Sequence, residues 1–397
     1  MMQKKTNPFT PTFGTVPLRL AGRQDIINEV LLGLEEGPGS PHRASLFIGS
    51  RGSGKTALMA KLADEATASG WISVGVTASL GMLEDIIERT EEASAHIIDH
   101  TEKNHVTSIN AGGFGVTRTI GASQTGNWRT RMNRILNELS EHSVGLVITV
   151  DEVDINVDEL RHLVATFQHF VVERREVVLL LAGLPKHVSL LLQDRTVSFL
   201  RRAVHHHLGL VSFPEARETI RSTIELSERT IDDAALDKAT GATGGYPFLI
   251  QLIGYHMWAQ NPEENEISED DADQGILQAQ KDMESRIFEV TLRELSAQDK
   301  RFLVAMTQDE DISRIGDIVK RLGISHSNAG QYRRRLITQG IIGERGWGEI
   351  GFDLPMFREF LIERGDNLSS WPYPSTWSYS IEKGSKTDPQ IEFTETD

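Results

Sequence analysis

The run GSRGSGKT at residues 49–56 constrains this chain more than any other feature of its sequence. It follows a short apolar run at residues 44–48 and precedes a segment in which Leu58, Met59 and Leu62 recur at helical spacing. A strand, a glycine-rich loop and a helix in this order place backbone N–H groups and a helix N-terminus around phosphate oxygens. The pattern therefore predicts a phosphate-binding loop, or P-loop, within an α/β domain.

The residue types of this loop suit the phosphates of ATP and a bound Mg²⁺. Glycine lets the backbone approach phosphate oxygens closely, where a Cβ would clash. Lys55 is expected to reach the β- and γ-phosphates, and the Thr56 hydroxyl is expected to ligate Mg²⁺. The loop residues predicted to bind the nucleotide are Gly49, Ser50, Arg51, Gly52, Ser53, Gly54, Lys55 and Thr56.

An acidic pair ends a second apolar run about 95 residues beyond the loop. Residues 144–150, VGLVITV, are typical of a parallel strand that is buried on both faces, and Asp151 and Glu152 follow directly. We expect Asp151 to hold the magnesium shell and Glu152 to orient and polarise the attacking water. Alone, the pair would suit an ordinary acidic turn. Together with the P-loop, it predicts a Mg²⁺-dependent ATP hydrolase.

Further apolar runs predict the rest of the sheet. They lie at residues 72–76, 177–182 and 206–211, and helical patterns at residues 128–139 and 157–174 separate them. Strands that alternate with helices predict a three-layer α/β domain with a parallel sheet.

Length and composition exclude several classes of protein. The 397 residues suggest two or three domains, and the net charge of −16 argues against nonspecific nucleic-acid binding by the whole surface. The longest apolar run, residues 177–184, is shorter than the roughly 18 to 20 residues that span a bilayer, so no membrane partner is expected. The absence of cysteine excludes disulfides and thiolate metal sites and fits a cytoplasmic location.

With these motifs in place, the chain resembles AAA+ ATPases over residues 7–364. Within that group it is similar to the origin-recognition-complex-like and STAND-like branch. PLRLAGR at residues 17–23 is similar to the box that packs on adenine, which implies that Gly22 and Arg23 bind the nucleotide. The segment at residues 240–258 is similar to the glycine-x-proline motif of the helical lid. The resemblance implies a nucleotide-sensing role for Pro247 there.

Two departures from this family pattern concern catalysis. Ala182 and Gly183 stand where relatives place a polar sensor, and the lid motif lacks the arginine that many AAA+ proteins carry. Both departures predict slow turnover, which suits a switch. Arg201 and Arg202 stand where relatives place an arginine finger, which would act on a neighbouring subunit and imply self-association. The alternative for these arginines is a solvated, basic helix end.

The C-terminal region has the pattern of a winged helix. Three helices are expected at about residues 297–306, 315–323 and 327–339, and a two-stranded wing at residues 341–354. The side chains predicted to contact DNA are Ser327, Asn328, Gln331, Arg333, Arg334 and Arg345. Residues 296–364 hold 11 Lys and Arg against 10 Asp and Glu, so a protein-binding winged helix is the alternative.

The sequence predicts four regions: an ATPase core at residues 1–212, a helical lid with a bridging helix at 213–290, the winged helix at 291–365 and a polar, disordered tail at 366–397. Residues 112–127 are expected to form a hairpin or mobile loop, and Ser268 and Asp271 a capping box.

The function predicted from these regions is an ATP-dependent switch whose winged helix binds double-stranded DNA. The alternative is a STAND-like signalling or scaffold protein with a structural nucleotide and a protein partner. A metabolic kinase fits less well, because no region suggests a domain for a small substrate.

Overall fold

The computed structural model describes residues 5–12, 14–97, 127–364, 377–382 and 390–395. The chain forms two compact units, each described here by itself. The sheet unit contains Arg23–Ile48 and Lys55–Leu208, and the helical unit contains Met1–Gly22, Gly49–Gly54 and Gly209–Asp397. The loop expected at residues 112–127 lies, apart from Asn127, outside the described residues.

The sheet unit alternates strands and helices. Its elements are α1 (Gln24–Glu36), β1 (Ala44–Ile48), α2 (Lys55–Ala68), β2 (Ile72–Thr77), α3 (Met82–Ser94), α4 (Trp128–Glu141), β3 (Leu146–Asp151), α5 (Asp158–Val172), β4 (Val177–Gly183), α6 (Pro185–Gln193) and β5 (Val204–His207). The five strands pair in the order β2-β3-β4-β1-β5, and every pair is parallel. The structure has the α/β fold of a P-loop NTPase, as the sequence predicts.

Burial along the central strands shows why they are apolar throughout. Every residue of β4 is buried, and so is every residue of β3 except Asp151. Neighbours such as Leu179 and Leu180 point to opposite faces of the sheet, and both are buried, so both faces are covered. The parallel register brings the carboxyl ends of β1 and β3 to the same edge of the sheet, on either side of β4.

The fifth strand differs from the prediction of residues 206–211. It spans Val204–His207 and pairs with β1, where its last residue, His207, lies opposite Ile48. The Leu208 N–H then donates to the Ile48 carbonyl, at 2.7 Å. Since β1 ends at Ile48, the residues after Leu208 have no strand to continue the ladder. The apolar residues at 208–211 therefore led to a wrong prediction of where the fifth strand ends.

The helical unit is mostly α-helical in its first half. That half consists of α7 (Phe213–Glu225), β6 (Thr230–Ile231), α8 (Asp233–Thr243), α9 (Pro247–Gln260), β7 (Glu266–Ile267), α10 (Glu269–Met283) and α11 (Glu289–Glu294), with a π-helical turn at Glu284–Phe288. The predicted capping box at the start of α10 is confirmed. The Ser268 Oγ accepts from the Asp271 N–H at 3.3 Å, and the Asp271 carboxylate accepts from the Ser268 N–H at 2.9 Å.

The second half of the helical unit holds the C-terminal module, residues 296–364. It consists of α12 (Ala297–Met306), β8 (Ser313–Arg314), α13 (Ile315–Leu322), α14 (His326–Thr338), β9 (Ile342–Gly346), β10 (Glu349–Phe352) and α15 (Phe357–Glu363). The strands pair in the order β8-β10-β9. Gly323 ends α13 with φ 62°, and the Ser325 side chain caps α14. The module thus has three helices, a three-stranded sheet and a final helix.

The tail contains two more strands, β11 (Trp377–Glu382) and β12 (Gln390–Glu395), which form an antiparallel hairpin in the region for which the sequence predicts disorder. Among the helices of the described residues, none combines the length and apolar composition that a bilayer crossing requires.

Candidate nucleotide-binding site

Two glycines give the P-loop its backbone shape. Gly52 has φ 72° and Gly54 has φ 87°. Both values lie in the left-handed region, which is strained for residues that have a Cβ. Lys55 and Thr56 then form the first turn of α2, so the loop runs directly into a helix N-terminus. The loop thus has the conformation and the helix dipole that an anionic phosphate requires.

The two residues predicted to hold magnesium lie together in the sheet unit. The Thr56 hydroxyl donates to Oδ2 of Asp151 at 2.6 Å. The other carboxylate oxygen, Oδ1, accepts from the Glu152 N–H at 2.8 Å. An alcohol and a carboxylate are the oxygen ligands that a hard cation such as Mg²⁺ takes, and both point into the same space. The donor set therefore fits a magnesium ion that also binds phosphate oxygens.

Glu152 has a strained backbone at the end of β3. Its φ is 53°, a value that costs a residue with a Cβ about 1–2 kcal/mol. The next residue is fixed, because the Val153 N–H donates to the Ala182 carbonyl at 2.9 Å. The bend leaves the Glu152 side chain exposed beside Asp151. Strain of this kind is common at functional sites, and it presents the carboxylate to solvent, where a water could be held.

The structure explains why no polar sensor follows β4. A Cβ on Gly183 would lie 2.5 Å from Cγ2 of Val153 and 3.2 Å from Cγ2 of Val188. Ala182 is completely buried. The end of β4 therefore has no room for a side chain that could contact a γ-phosphate, and the departure from the family pattern is built into the packing.

The lid motif lies against the P-loop within the helical unit. Gly245 has φ 73°, and a Cβ there would lie 2.1 Å from the Val211 carbonyl oxygen. Pro247 is the first residue of α9, where its missing N–H costs nothing. Its Cβ lies 3.9 Å from the position that a Cβ on Gly54 would take. Pro247 thus lies beside the last glycine of the loop, and its nucleotide-sensing role stays a prediction.

Gly22 and Arg23, the two residues of the PLRLAGR segment that are predicted to bind the nucleotide, differ in their surroundings. Gly22 has φ 60° and approaches α7, where a Cβ would lie 3.2 Å from the Glu215 carboxylate. Arg23 is the residue that precedes α1, and it is 8% exposed.

The arginines proposed as a finger lie on a 3₁₀ helix, Arg195–Arg202. The Arg201 Nε donates to the Leu192 carbonyl at 2.7 Å, and the side chain lines a cavity of ≈ 410 Å³ together with His205 and His207. Arg202 is exposed. Both side chains are exposed, and Arg201 is in addition anchored within its own unit by this hydrogen bond.

The residues predicted to contact DNA fall into two groups. Ser327, Asn328, Gln331 and Arg334 are exposed on α14. The other two are engaged within the module: Arg333 pairs with Glu344 at 2.6 Å, and Arg345 pairs with Asp353 at 2.9 Å.

The neighbouring Arg335 has a structural partner. Its Nε lies 2.9 and 2.8 Å from the carboxylate oxygens of Asp299, which is 2% exposed. This hydrogen bond raises the pKa of the Arg335 guanidinium. Arg335 therefore satisfies a buried carboxylate.

Sequence reasoning missed three features that the structure shows. The Tyr246 hydroxyl donates to the Arg51 carbonyl at 2.6 Å. A Cβ on Gly340 would lie 2.4 Å from the Cβ of Ser50, so the second residue after α14 packs on the P-loop. Trp347 is fully exposed at the tip of the β9–β10 hairpin. The first two contacts join residues far apart in sequence, which no local pattern indicates, whereas the Gly-Trp-Gly turn was a visible signal.

Comparisons with known proteins bear on the fold of the chain. A family model described as a domain of unknown function, DUF8462, matches residues 285–361. No curated protein matches the chain. Among solved structures, the Walker-type ATPase PABY2304 of Pyrococcus abyssi is similar with a TM-score of 0.61 and 14% identity, over 86% of this chain and 96% of that one.

Two further solved structures are similar to a lesser degree. The ORC2 protein of Aeropyrum pernix, described as ADPNP-ADP complexes, has a TM-score of 0.48 and 14% identity, over 90% of this chain and 96% of that one. Cdc6p from Pyrobaculum aerophilum has a TM-score of 0.45 and 16% identity, over 89% and 97%. The first similarity, to the Pyrococcus protein, shows that this chain has the fold of a Walker-type ATPase.

Proposed function

We propose that this protein is a slow, Mg²⁺-dependent ATPase whose nucleotide state controls the C-terminal module, and that this module is a winged helix that binds double-stranded DNA. The observation that carries the ATPase part is the 2.6 Å contact of Thr56 with Asp151 at the start of the helix that follows the glycine loop. We assign the core to residues 1–212, the lid to 213–290, the winged helix to 291–365 and the tail to 366–397, in a cytoplasmic protein.

The residues have separate tasks in this reaction. Lys55 and the loop N–H groups bind the phosphate oxygens, and Thr56 and Asp151 hold the metal. Mg²⁺ supplies charge neutralisation at the β- and γ-phosphates when it is bound. Glu152 orients a water molecule and takes its proton as the water oxygen attacks phosphorus and the bond to the ADP oxygen breaks.

Slow turnover follows from the packing at the end of β4. A sensor side chain would stabilise the charge that develops on the γ-phosphate, and such donors are worth about 10²–10³ in kcat in other enzymes. The contact of Gly183 with Val153 leaves no room for one. A long-lived ATP state suits a switch more than a motor.

Coupling between nucleotide and module is supported by the contact of Gly340 with Ser50. Ser50 belongs to the loop that would bind phosphate, and Gly340 ends the segment that follows α14. A Cβ at 340 would lie 2.4 Å from the Ser50 Cβ and 3.2 Å from its Cα, so the Gly340 backbone packs closely on Ser50. A change in loop shape when ATP binds therefore acts on the end of the helix that would read DNA.

DNA binding is supported by the exposed face of α14. Ser327, Asn328, Gln331 and Arg334 present hydroxyl, amide and guanidinium groups that can reach base edges and phosphates. The exposed ring of Trp347 can pack on sugars or bases. Helix and hairpin tip together match the way in which winged helices contact a duplex.

The alternative function is a scaffold that holds its nucleotide structurally and binds a protein. The observation that favours it is the set of internal ion pairs, since Arg333, Arg335 and Arg345 are all engaged with carboxylates of the module. Each engaged arginine is less available to phosphate. Self-association through an arginine finger, Arg201 or Arg202, belongs to the ATPase proposal, because both side chains are exposed and could reach a neighbouring subunit.

Phosphate release tests the ATPase. We expect the wild type to turn over, Glu152→Gln to lose roughly 10²-fold or more in turnover while it retains ATP, and Lys55→Ala to lose ATP binding. Wild-type protein that binds ATP without releasing phosphate would support the structural-nucleotide alternative instead.

Salt dependence tests the partner of the C-terminal module. Duplex DNA held by phosphate contacts must bind more weakly as salt rises, with a slope of about −0.9 per contact. We expect binding to a labelled duplex that falls between 50 and 200 mM salt, concentrations at which such losses are large in other proteins. No binding at the lower salt concentration would favour a protein partner.

A further inference from the structure

The side chain of Tyr246 joins the lid helix to the P-loop backbone. Its hydroxyl donates to the carbonyl oxygen of Arg51 at 2.6 Å, and the residue is 1% exposed. Burial raises the pKa of this phenol, so the hydroxyl remains a protonated donor throughout the physiological range. A donor that is buried, protonated and this close to a loop carbonyl makes a stable hydrogen bond.

The bond fixes the direction of one P-loop amide. In a trans peptide the C=O and the next N–H point in opposite directions, and the described residues contain no cis peptide. A carbonyl of Arg51 that is held toward Tyr246 therefore turns the N–H of Gly52 away from the tyrosine. The N–H groups of a P-loop are the donors that surround phosphate oxygens.

Gly52 allows this approach for two independent reasons. Its φ of 72° is in the left-handed region, and a Cβ there would lie 2.1 Å from the Tyr246 hydroxyl oxygen. The phenol therefore occupies the space that any other residue at position 52 would need. The glycine is matched to the tyrosine as well as to the phosphate.

The tyrosine itself is held in place by its own element. It is the residue before Pro247, which starts α9, and Gly245 on its other side is in close contact with Val211. The first turns of α9 are anchored by Leu249 and Ile250, which are buried. The hydroxyl is therefore a preorganised donor and loses little freedom when the loop binds a ligand.

We propose that Tyr246 is a positioning residue for the nucleotide: its hydroxyl holds the Arg51–Gly52 peptide so that the Gly52 N–H donates to a β- or γ-phosphate oxygen, and it thereby reports phosphate binding to α9. This inference rests on the proposed nucleotide binding and adds to it the residue that links loop and lid. Tyr246 acts through the loop backbone and does not itself contact the reacting atoms.

The test is Tyr246→Phe, which keeps the buried ring and removes only the hydroxyl. The control is Tyr255→Phe, which removes a hydroxyl from the same helix. Tyr255 is 41% exposed and, within the described residues, its hydroxyl has no hydrogen-bond partner. Titration calorimetry with MgADP measures affinity without turnover, and the KM and kcat for ATP are measured in parallel.

We expect Tyr246→Phe to raise the Kd for MgADP and the KM for ATP by about three- to tenfold, the usual worth of one hydrogen bond, with kcat within about twofold of the wild type. Tyr255→Phe should match the wild type in all three. A Tyr246→Phe protein with wild-type Kd and KM overturns the inference, and so does an equal rise in Tyr255→Phe.

The two proposals fail in different ways. Wild-type protein that does not bind MgADP would overturn both the nucleotide site and the role of Tyr246. Wild-type binding with an unaffected Tyr246→Phe variant would overturn only the tyrosine.

Discussion

At the end of β3, the two carboxylate oxygens of Asp151 have different partners. One accepts from the Thr56 hydroxyl and the other from the Glu152 N–H. The amide partner fixes the orientation of the carboxylate, so the oxygen that faces Thr56 is presented to a metal together with the hydroxyl. The proposed magnesium site therefore rests on a carboxylate whose orientation is already fixed by its two hydrogen bonds.

Removal of this hydroxyl tests the metal assignment. Thr56→Ala should raise the Mg²⁺ concentration for half-maximal turnover by about tenfold or more, because one oxygen ligand is lost. Thr56→Ser keeps the hydroxyl and should behave like the wild type in the same magnesium titration. Equal magnesium curves for the alanine and serine variants would contradict the assignment.

Two adjacent arginines of α14 differ in their surroundings. Arg335 binds the buried Asp299, whereas Arg334 is exposed and has no ion-pair partner among the described residues. Arg334→Ala should weaken duplex DNA binding without a change in the denaturant midpoint. Arg335→Ala should lower the free energy of unfolding by about 1–3 kcal/mol, because the buried Asp299 carboxylate loses its charged donor and keeps only the Ser296 hydroxyl. If both variants lost stability and both bound DNA as tightly as the wild type, the separate roles of Arg334 and Arg335 would be contradicted.

The P-loop and the acidic pair could be predicted from the sequence because each rests on residue types at fixed local spacing. Lys55, Thr56 and Asp151 follow from a strand, a loop and the end of another strand. Tyr246 and Gly340 could not be assigned in the same way, since each depends on a contact with a loop almost 200 residues or more away in sequence. The same holds for Arg335, whose ion pair with the buried Asp299 joins residues 36 positions apart in sequence.

At the scale of elements, the turn before α9 determines where the lid helix begins. Gly244 and Gly245 both have positive φ, and the second is enclosed by Val211. The Gly245 carbonyl accepts from the Val211 N–H at 2.7 Å, so the turn is joined to the segment before α7. A side chain at this turn would displace the start of α9 and, with it, Pro247.

Paired glycine substitutions test this account of the turn. Gly245→Ala should lower the free energy of unfolding by more than about 1 kcal/mol, because φ is positive and the Cβ would overlap the Val211 carbonyl. Gly241→Ala, within α8 and with open space around it, should raise stability by about 0.4–1 kcal/mol. Chemical denaturation of both variants measures the difference, and equal effects would contradict it.

The edge strand β5 contains a buried histidine that should make stability depend on pH. His206 is stacked on Phe47 with ring centroids 5.2 Å apart, and burial lowers its pKa below 6.5, although Glu29 nearby acts in the opposite direction. Below about pH 6.5 the unfolded chain therefore binds a proton that the folded chain resists, and the free energy of unfolding falls as pH decreases.

Replacement by a ring that does not titrate isolates this effect. His206→Phe should keep the stacking and flatten the loss of stability between about pH 6.5 and 5, where one proton is worth at most about 1.4 kcal/mol per pH unit. Denaturation curves at several pH values measure the slope for both proteins. If the free energy of unfolding changed with pH equally in both proteins, His206 would contribute nothing to the pH dependence.

Elements with strong periodicity were predictable, and those that depend on a partner strand were not. The helices α4, α5, α12, α13 and α14 lie close to their predicted bounds, since each has an apolar face, and α4, α12 and α14 also have a side-chain N-cap. The strand β5 was displaced, because its end is set by where β1 stops and not by its own apolar residues. A hydrophobic run indicates that its residues are buried. Which part of the run forms a strand depends on where a neighbouring strand is available for pairing.

At the scale of the whole molecule, the residues of the P-loop are divided between the two units. Its last residues begin α2 in the sheet unit, whereas Gly49–Gly54 belong to the helical unit. Within that unit the loop contacts Tyr246 of the lid segment and Gly340 of the C-terminal module. These two contacts are the basis of the proposed coupling between the nucleotide and the C-terminal module.

Amide hydrogen exchange of the Glu152→Gln variant, with and without MgATP, tests the proposed switch most directly. The variant should hold ATP without hydrolysing it, and Lys55→Ala serves as the control that cannot bind. The switch predicts that MgATP changes exchange at residues 335–342 of the C-terminal module as well as in the P-loop, and that Lys55→Ala shows neither change. Protection confined to the P-loop and the end of β3, with residues 335–342 unaltered, would contradict the switch.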